Sequence, residues 1–106
     1  MSLALDMDER FRALEANLQE LIDLLSIANE LFWLRFMRQG LTQVKERRLS
    51  GATYVLGCYG GAETFSDLVL AGSSAATNQR LVELRNEIYA LANAIAAASA
   101  QPRTRH

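Results

Sequence analysis

The residues of this chain that could do chemistry crowd into one stretch. From Gly57 to Leu70 it reads Gly-Cys-Tyr-Gly-Gly-Ala-Glu-Thr-Phe-Ser-Asp-Leu-Val-Leu, with three glycines in five residues, then an acidic residue and an apolar run. Backbone N–H groups that no Cβ shields can cradle a phosphate. The pattern departs from a P-loop, which needs Gly-Lys and then Ser or Thr. Here Gly60-Gly61 is followed by Ala62-Glu63-Thr64, without a lysine. A dinucleotide fingerprint would need a preceding strand and another glycine spacing. Glu63 and Asp67 would also repel phosphate. The plainer reading is that Tyr59-Gly60-Gly61 makes a sharp turn wedged between long helices.

Glu63 and Asp67 are spaced i,i+4, so on a helix they would share a face. Two carboxylates can hold a metal or do acid–base work. A metal needs more ligands, and no histidine or second carboxylate cluster accompanies them. Asp67 therefore reads better as a cap, or as an acceptor for the glycine-loop amides. Cys58 is the only cysteine, and as a nucleophile it would need a base. The only histidine, His106, is the last residue, so Cys58 reads as buried and inert. Trp33, with Phe32, Phe36 and Met37, can line a pocket; aromatics at helical spacing otherwise form core or interface anchors. The candidate ligand or interaction residues are thus Trp33, Phe36, Tyr59, Gly60, Gly61 and Asp67. No catalytic, metal or cofactor residue is assigned, and no cofactor is expected.

Something must position these residues. The 106 residues suffice for one domain, placed at residues 1–100, with 101–106 as a disordered basic tail. Half the residues are hydrophobic, and a small monomer would have to expose part of that excess. A self-association surface follows as the expectation. The net charge of −1 argues against a nucleic-acid partner. A single cysteine fits a reducing compartment, the cytoplasm. The opening Met-Ser-Leu-Ala-Leu-Asp-Met-Asp-Glu-Arg turns acidic too early for a signal peptide. Leu21–Met37 is the most apolar window, but Asp23, Glu30 and Arg35 interrupt it, so a buried helix is expected rather than a membrane span.

Phe11, Leu14, Leu18, Leu21, Leu25, Ala28 and Phe32 alternate at spacings of three and four. The spacing predicts one long helix from about Asp6 to Gln39, capped by Asp6 or Asp8. A second stripe, Leu24, Ile27, Leu31, Leu34 and Met37, makes its far end apolar nearly all round. Gly40 is a candidate C-cap or kink, and Leu41–Leu49 continues the helix or starts another. Arg35, Arg38, Lys45, Arg47 and Arg48 form a basic patch, read as solvated helix-end charge or as an acidic-partner surface. Ser50 is the expected cap of a short helix over Gly51–Leu56. Glu63–Leu70 reads as another short helix with Phe65, Leu68 and Val69 inward, or as an extended run. Ala71–Ala76 resembles a linker. After it Leu81, Leu84, Ile88, Leu91 and Ile95 predict a second long helix, capped by Thr77 or Asn78, with Arg80, Glu83, Arg85 and Glu87 on its wet side.

The run from Gly51 to Leu70 is similar to a small bacterial domain family of unknown function. Its members carry a segment like Phe-Gly-Gly-Met-Gly-Ser-Leu-Asn-Asp-Leu after a glycine and several apolar residues. Gly60, Gly61, Asp67 and Leu68 match as they stand; Ala62-Glu63-Thr64 replaces Met-Gly-Ser, Phe65 holds the apolar position, and Ser66 replaces Asn. Trp33 and Asn78–Leu91 look like the family's upstream tryptophan and downstream helix. The resemblance implies the architecture and brings no activity with it. The fold expected is all-α: two long helices in an antiparallel hairpin, short helices and a glycine-rich loop between them, in a dimeric bundle. The function expected is a non-enzymatic module that binds itself and an unknown protein partner, with no nucleic-acid or membrane partner. The alternative is a small-molecule or anion-binding module using the glycine-rich loop.

Overall fold

A computed structural model describes residues 6–59 and 65–100. Helix α1 spans Met7–Ile27, α2 Leu31–Lys45, α3 Leu49–Leu56 and α4 Ala75–Ala100. Single turns of 3-10 helix at Gly57–Tyr59 and Phe65–Asp67 lie between α3 and α4. Every regular element among the described residues is helical. The helices form a four-membered bundle within one chain, in which α1 packs on α2 and α4, and α3 packs on α2 and α4. Gly60, Gly61, Glu63 and the 101–106 segment lie outside the described residues.

Asp6 starts α1 with a capping box. Its side chain accepts from the Glu9 N–H at 2.8 Å, and the Glu9 carboxylate accepts from the Asp6 N–H at 3.0 Å. Phe11, Leu14, Leu18, Leu21 and Leu25 then face the core, the last four with no measurable exposure. From α4 the same layer receives Leu81, Leu84, Ile88, Ala92 and Ile95. Each large side chain buried this way contributes about 1.5–3 kcal/mol. No helix among the described residues is long and apolar enough to cross a membrane.

The single rod expected over Asp6–Gln39 is instead two helices. Asn29 sits at φ 61°, in the left-handed region that Asn tolerates better than most residues. Around it the Asn29 N–H donates to the Ser26 carbonyl at 3.1 Å and the Glu30 N–H to the Leu25 carbonyl at 2.9 Å. This is a Schellman ending, which satisfies carbonyls a helix terminus would otherwise orphan. The break lets α2 double back along α1, so that Arg47, just past the end of α2, reaches Asp8 at 3.1 Å and Glu15 at 3.0 Å near the start of α1.

Gly40 neither caps nor kinks. It is buried inside α2, and a Cβ there would lie 2.8 Å from Val55 Cγ2 of α3. Gly51 answers it from α3: a Cβ there would meet the Val44 backbone nitrogen at 2.8 Å. Two glycines thus set the close approach of α2 and α3. The end of α2 repeats the Schellman pattern with Arg47 at φ 58°. Its N–H donates to Val44 at 2.9 Å, and the Arg48 N–H to Gln43 at 3.1 Å.

Helix α3 begins at Leu49, one residue before the expected cap at Ser50, whose hydroxyl bonds Gln43 instead. Over 65–70, Phe65 and Leu70 are buried but Val69 is 69% exposed, so the expected inward set is corrected at that residue. Leu70–Ser73 closes a tight turn through a 3.1 Å hydrogen bond, with Gly72 at φ +82° supplying the required positive φ. Helix α4 starts at Ala75, ahead of the expected caps. The Thr77 N–H donates to Ser74 Oγ at 3.1 Å, so Ser74 does the capping. Asn78, one turn in, brackets Leu70 instead: its Oδ1 accepts from the Leu70 N–H at 2.8 Å and its Nδ2 donates to the Leu70 carbonyl at 3.1 Å.

Candidate functional site

Seven of the chain's eight aromatic residues form one connected ribbon, with Phe11 outside it. It begins on α2, where Phe32, Trp33 and Phe36 contact one another with ring centres 4.9–5.7 Å apart. Phe36 stacks on Tyr54 of α3 at 5.8 Å. Trp33 reaches the buried Phe65 at 5.5 Å, Phe65 meets Tyr59 edge-on at 5.5 Å, and Tyr59 touches Tyr89 of α4 at 5.1 Å. Tilted and edge-on pairs at such distances gain about 0.5–1.5 kcal/mol beyond simple burial. The ribbon ties the region after α3 to α2 and α4, and both its ends, Phe32 and Tyr89, are exposed.

Of the sequence candidates, Trp33, Phe36 and Tyr59 come together here. Trp33 and Phe36 line a groove of about 370 Å³ with Thr53, Tyr54, Gly57 and Cys58. Tyr59 lies on the other side of Phe65, facing a second groove. Asp67 is exposed, on the 3-10 turn that follows Phe65. Gly60 and Gly61 are outside the described residues, as is the Glu63 partner proposed for Asp67. Cys58 is buried, with its Sγ 3.8 Å from the Tyr54 carbonyl, and burial pushes its thiol pKa up. A raised pKa leaves less thiolate at neutral pH and less nucleophilic character. Among the described residues no group of histidine, cysteine, aspartate or glutamate could hold a metal ion.

The residue missed from sequence is Arg85, which reads there as solvated charge. It is half-buried, and its Nη1 donates to the carbonyls of Leu68 at 3.0 Å and Phe65 at 3.3 Å, holding the second 3-10 turn against α4. The Tyr59 hydroxyl donates to the Arg85 carbonyl at 2.8 Å. Tyr59 stays protonated: burial first, with Cys58 adding to it, raises its pKa well above the usual phenol range. Arg85 and Tyr59 thus anchor each other across the two turns. A local signal existed only in hindsight, since an arginine four residues past Leu81 sits at the edge of the apolar stripe, where side chains are half-covered.

The second surface of interest is the corner where α1 gives way to α2. Ile27 is 88% exposed, Leu31 57% and Phe32 61%. The second apolar stripe therefore splits, with Leu34 and Met37 buried and Ile27 and Leu31 in solvent. The basic patch also divides. Arg47 pairs with Asp8 and Glu15, and Arg48 with Glu46, while Arg35 and Arg38 stand on the exposed face of α2 beside Leu31. Comparison with protein-family models, with curated proteins and with solved structures finds no match to this chain.

Proposed function

We propose that this chain is a non-enzymatic helical interaction module whose first partner is a second copy of itself. The observation that carries the reading is the apolar corner of Ile27, Leu31 and Phe32, which stands in solvent although the bundle already has a dry core. Large exposed apolar side chains grouped in one place favour association, because covering them releases the same free energy as core burial. A standard interface takes about 800 Å² per partner. The corner is its centre, with Arg35 and Arg38 on its rim, where charge tunes the rate and specificity of encounter. A further protein partner would use the same corner. α1 and α4 form an antiparallel pair in this reading, supported by the Arg80–Glu20 contact at 2.5 Å between the first turns of α4 and the second half of α1. Membership of the small bacterial family with the glycine-glycine motif, a cytoplasmic location, and the absence of nucleic-acid and membrane partners complete the proposal.

Light scattering coupled to size exclusion tests it. At about 100 μM the wild type is expected at twice the chain mass. The double variant Ile27→Glu/Phe32→Glu is expected at one chain mass with an unchanged helical circular-dichroism signal, since neither side chain contributes to the core. A wild type that stays monomeric at millimolar concentration would sink the reading.

A further inference from the structure

We propose that the groove beside Tyr59 and Tyr89 binds a small aromatic oxyanion, a carboxylate or phosphate carried on a planar ring, with Arg85 holding its charge. The inference is independent of self-association and would hold for a monomer. The groove encloses about 560 Å³ and is lined by Tyr59, Ser66, Arg85, Asn86 and Tyr89. That volume lies within the range of about 300–1,000 Å³ typical of small-molecule sites.

The argument begins with what Arg85 does with its donors. A guanidinium carries five N–H groups in a fixed plane. Nη1 is committed to the carbonyls of Leu68 and Phe65, which sets the orientation of the whole group. The other edge, Nε with Nη2, has no partner among the described residues. That edge is the fork that grips a carboxylate through two parallel bonds. The chain uses it so elsewhere: Arg80 places Nε at 2.5 Å and Nη2 at 2.7 Å from the two oxygens of Glu20. Arg85 differs in having no ion pair among the described residues while being half-buried and held in position. A cation fixed before a ligand arrives loses little side-chain entropy when it binds.

The rest of the groove states what the anion is attached to. Tyr59 is immobilised by its hydroxyl bond to the Arg85 carbonyl and by Phe65 behind it. Tyr89 leans on it at 58°, with nearly half its surface in solvent. Two rings meeting at this angle share the groove that Arg85 also lines. A planar ring can stack on one and meet the other edge-on, with Asn86 also lining the groove. A bare anion would use the fork and waste the rings; a neutral ring would use the rings and leave the fork without its counter-ion.

The test is a titration followed by ¹H–¹⁵N NMR of the arginine Nε–Hε and Asn86 side-chain signals. Benzoate and phenyl phosphate are the probes, benzamide the uncharged ring, acetate and inorganic phosphate the ringless anions. Saturable shifts of the Arg85 Nε–Hε signal are expected with benzoate or phenyl phosphate, at concentrations at least about tenfold below those needed for any control, a ratio equal to about 1.4 kcal/mol. Which of the two probes binds tighter tells a carboxylate site from a phosphate site. Tyr89→Ala is expected to weaken binding about tenfold without loss of helical signal, because Tyr89 lies at the surface. Arg85→Lys keeps the charge but removes the fork, and is expected to reduce, without abolishing, the preference for benzoate over benzamide. It also releases two backbone carbonyls, so Tyr89→Ala keeps the test independent of any folding defect. Benzamide binding as well as benzoate, shifts that leave Arg85 unmoved, or no saturable shift with either probe would each overturn the proposal.

Discussion

The two ends of α2 are built with the same backbone device and finished in opposite ways. At each, the preceding helix terminates in a Schellman motif whose key residue lies in the left-handed region, Asn29 before α2 and Arg47 after it. At the far end Arg47 turns its side chain onto α1 and bonds Asp8 and Glu15, and Gly51 presses α3 against Val44. At the near end Asn29 makes no side-chain hydrogen bond among the described residues, and Ile27, Leu31 and Phe32 stand in solvent. Hydrogen-bond geometry decides where a helix stops; the side chains on either side decide whether the stop becomes part of the core or part of a surface. One end of α2 is closed against the rest of the bundle, and the other leaves its apolar side chains in solvent.

The sharpest way to break this contrast is at the closed end. Gly51→Ala puts a methyl 2.8 Å from the Val44 backbone nitrogen, which cannot rotate away. It should destabilise by about 1–3 kcal/mol in urea unfolding, despite the helix preference of alanine. Gly40→Ala meets the Val55 methyl rather than backbone, so its cost should be smaller, below about 1.5 kcal/mol. Gly57→Ala meets nothing within 4 Å and has a helical φ of −62°, so it should be neutral or add up to about 1 kcal/mol. If all three cost the same, close approach is not what distinguishes these glycines.

Arg47 separates backbone from side chain. Arg47→Ala loses both carboxylate partners and keeps the unfavourable φ; Arg47→Gly loses the same partners and relieves it. The alanine variant should be the less stable by about 1 kcal/mol. Equal stability would mean the left-handed conformation is not retained. At the open end, Asn29→Gly should change stability by a few tenths of a kcal/mol at most, whereas Asn29→Val should cost about 1–2 kcal/mol because a β-branched residue resists φ 61°.

The smallest expected effect is in pH. Arg12 first and Arg47 second hold the Asp8 carboxyl below its ordinary pKa, and Arg80 does the same for Glu20. Both folded values lie below the unfolded ones, so the stabilisation is complete above about pH 5 and is lost as pH falls through the folded values. The Arg80–Glu20 part is half-exposed, so solvent screening keeps its contribution small. Arg80→Gln should flatten the acid limb of a plot of stability against pH, and an unchanged limb would remove this pair from the account.

Much of the fold was legible because local rules and global packing agree along α1 and α4. The three-and-four spacing from Phe11 to Leu25 and from Leu81 to Ile95 marks a face that has one consistent partner, and those residues are the core except Leu91, which is only partly covered while Ala92 fills that layer. Legibility failed where apolar pattern and backbone device disagreed. The stripe runs on through Ala28 and Phe32, so Asn29 reads as an ordinary helical residue until the hydrogen bonds of the break are seen. Gly40 and Gly51 read as punctuation because what they accommodate, Val55 and the Val44 backbone, is distant in sequence. Arg85 reads as solvated because its partners are carbonyls, which every residue has and no sequence pattern marks. Of the candidate residues, Trp33, Phe36 and Tyr59 could be found from residue type alone, while their joining through Phe65 could not.

The sequence by itself determined that the chain is helical and which faces of α1 and α4 are dry, because periodicity and propensity are properties of neighbours along the chain. Only the tertiary structure decided where the first rod folds back, which glycines let helices touch, and which arginine is fixed beside a groove. Those outcomes depend on atoms brought together from remote positions, and the free energy of such contacts is written in no single stretch of residues.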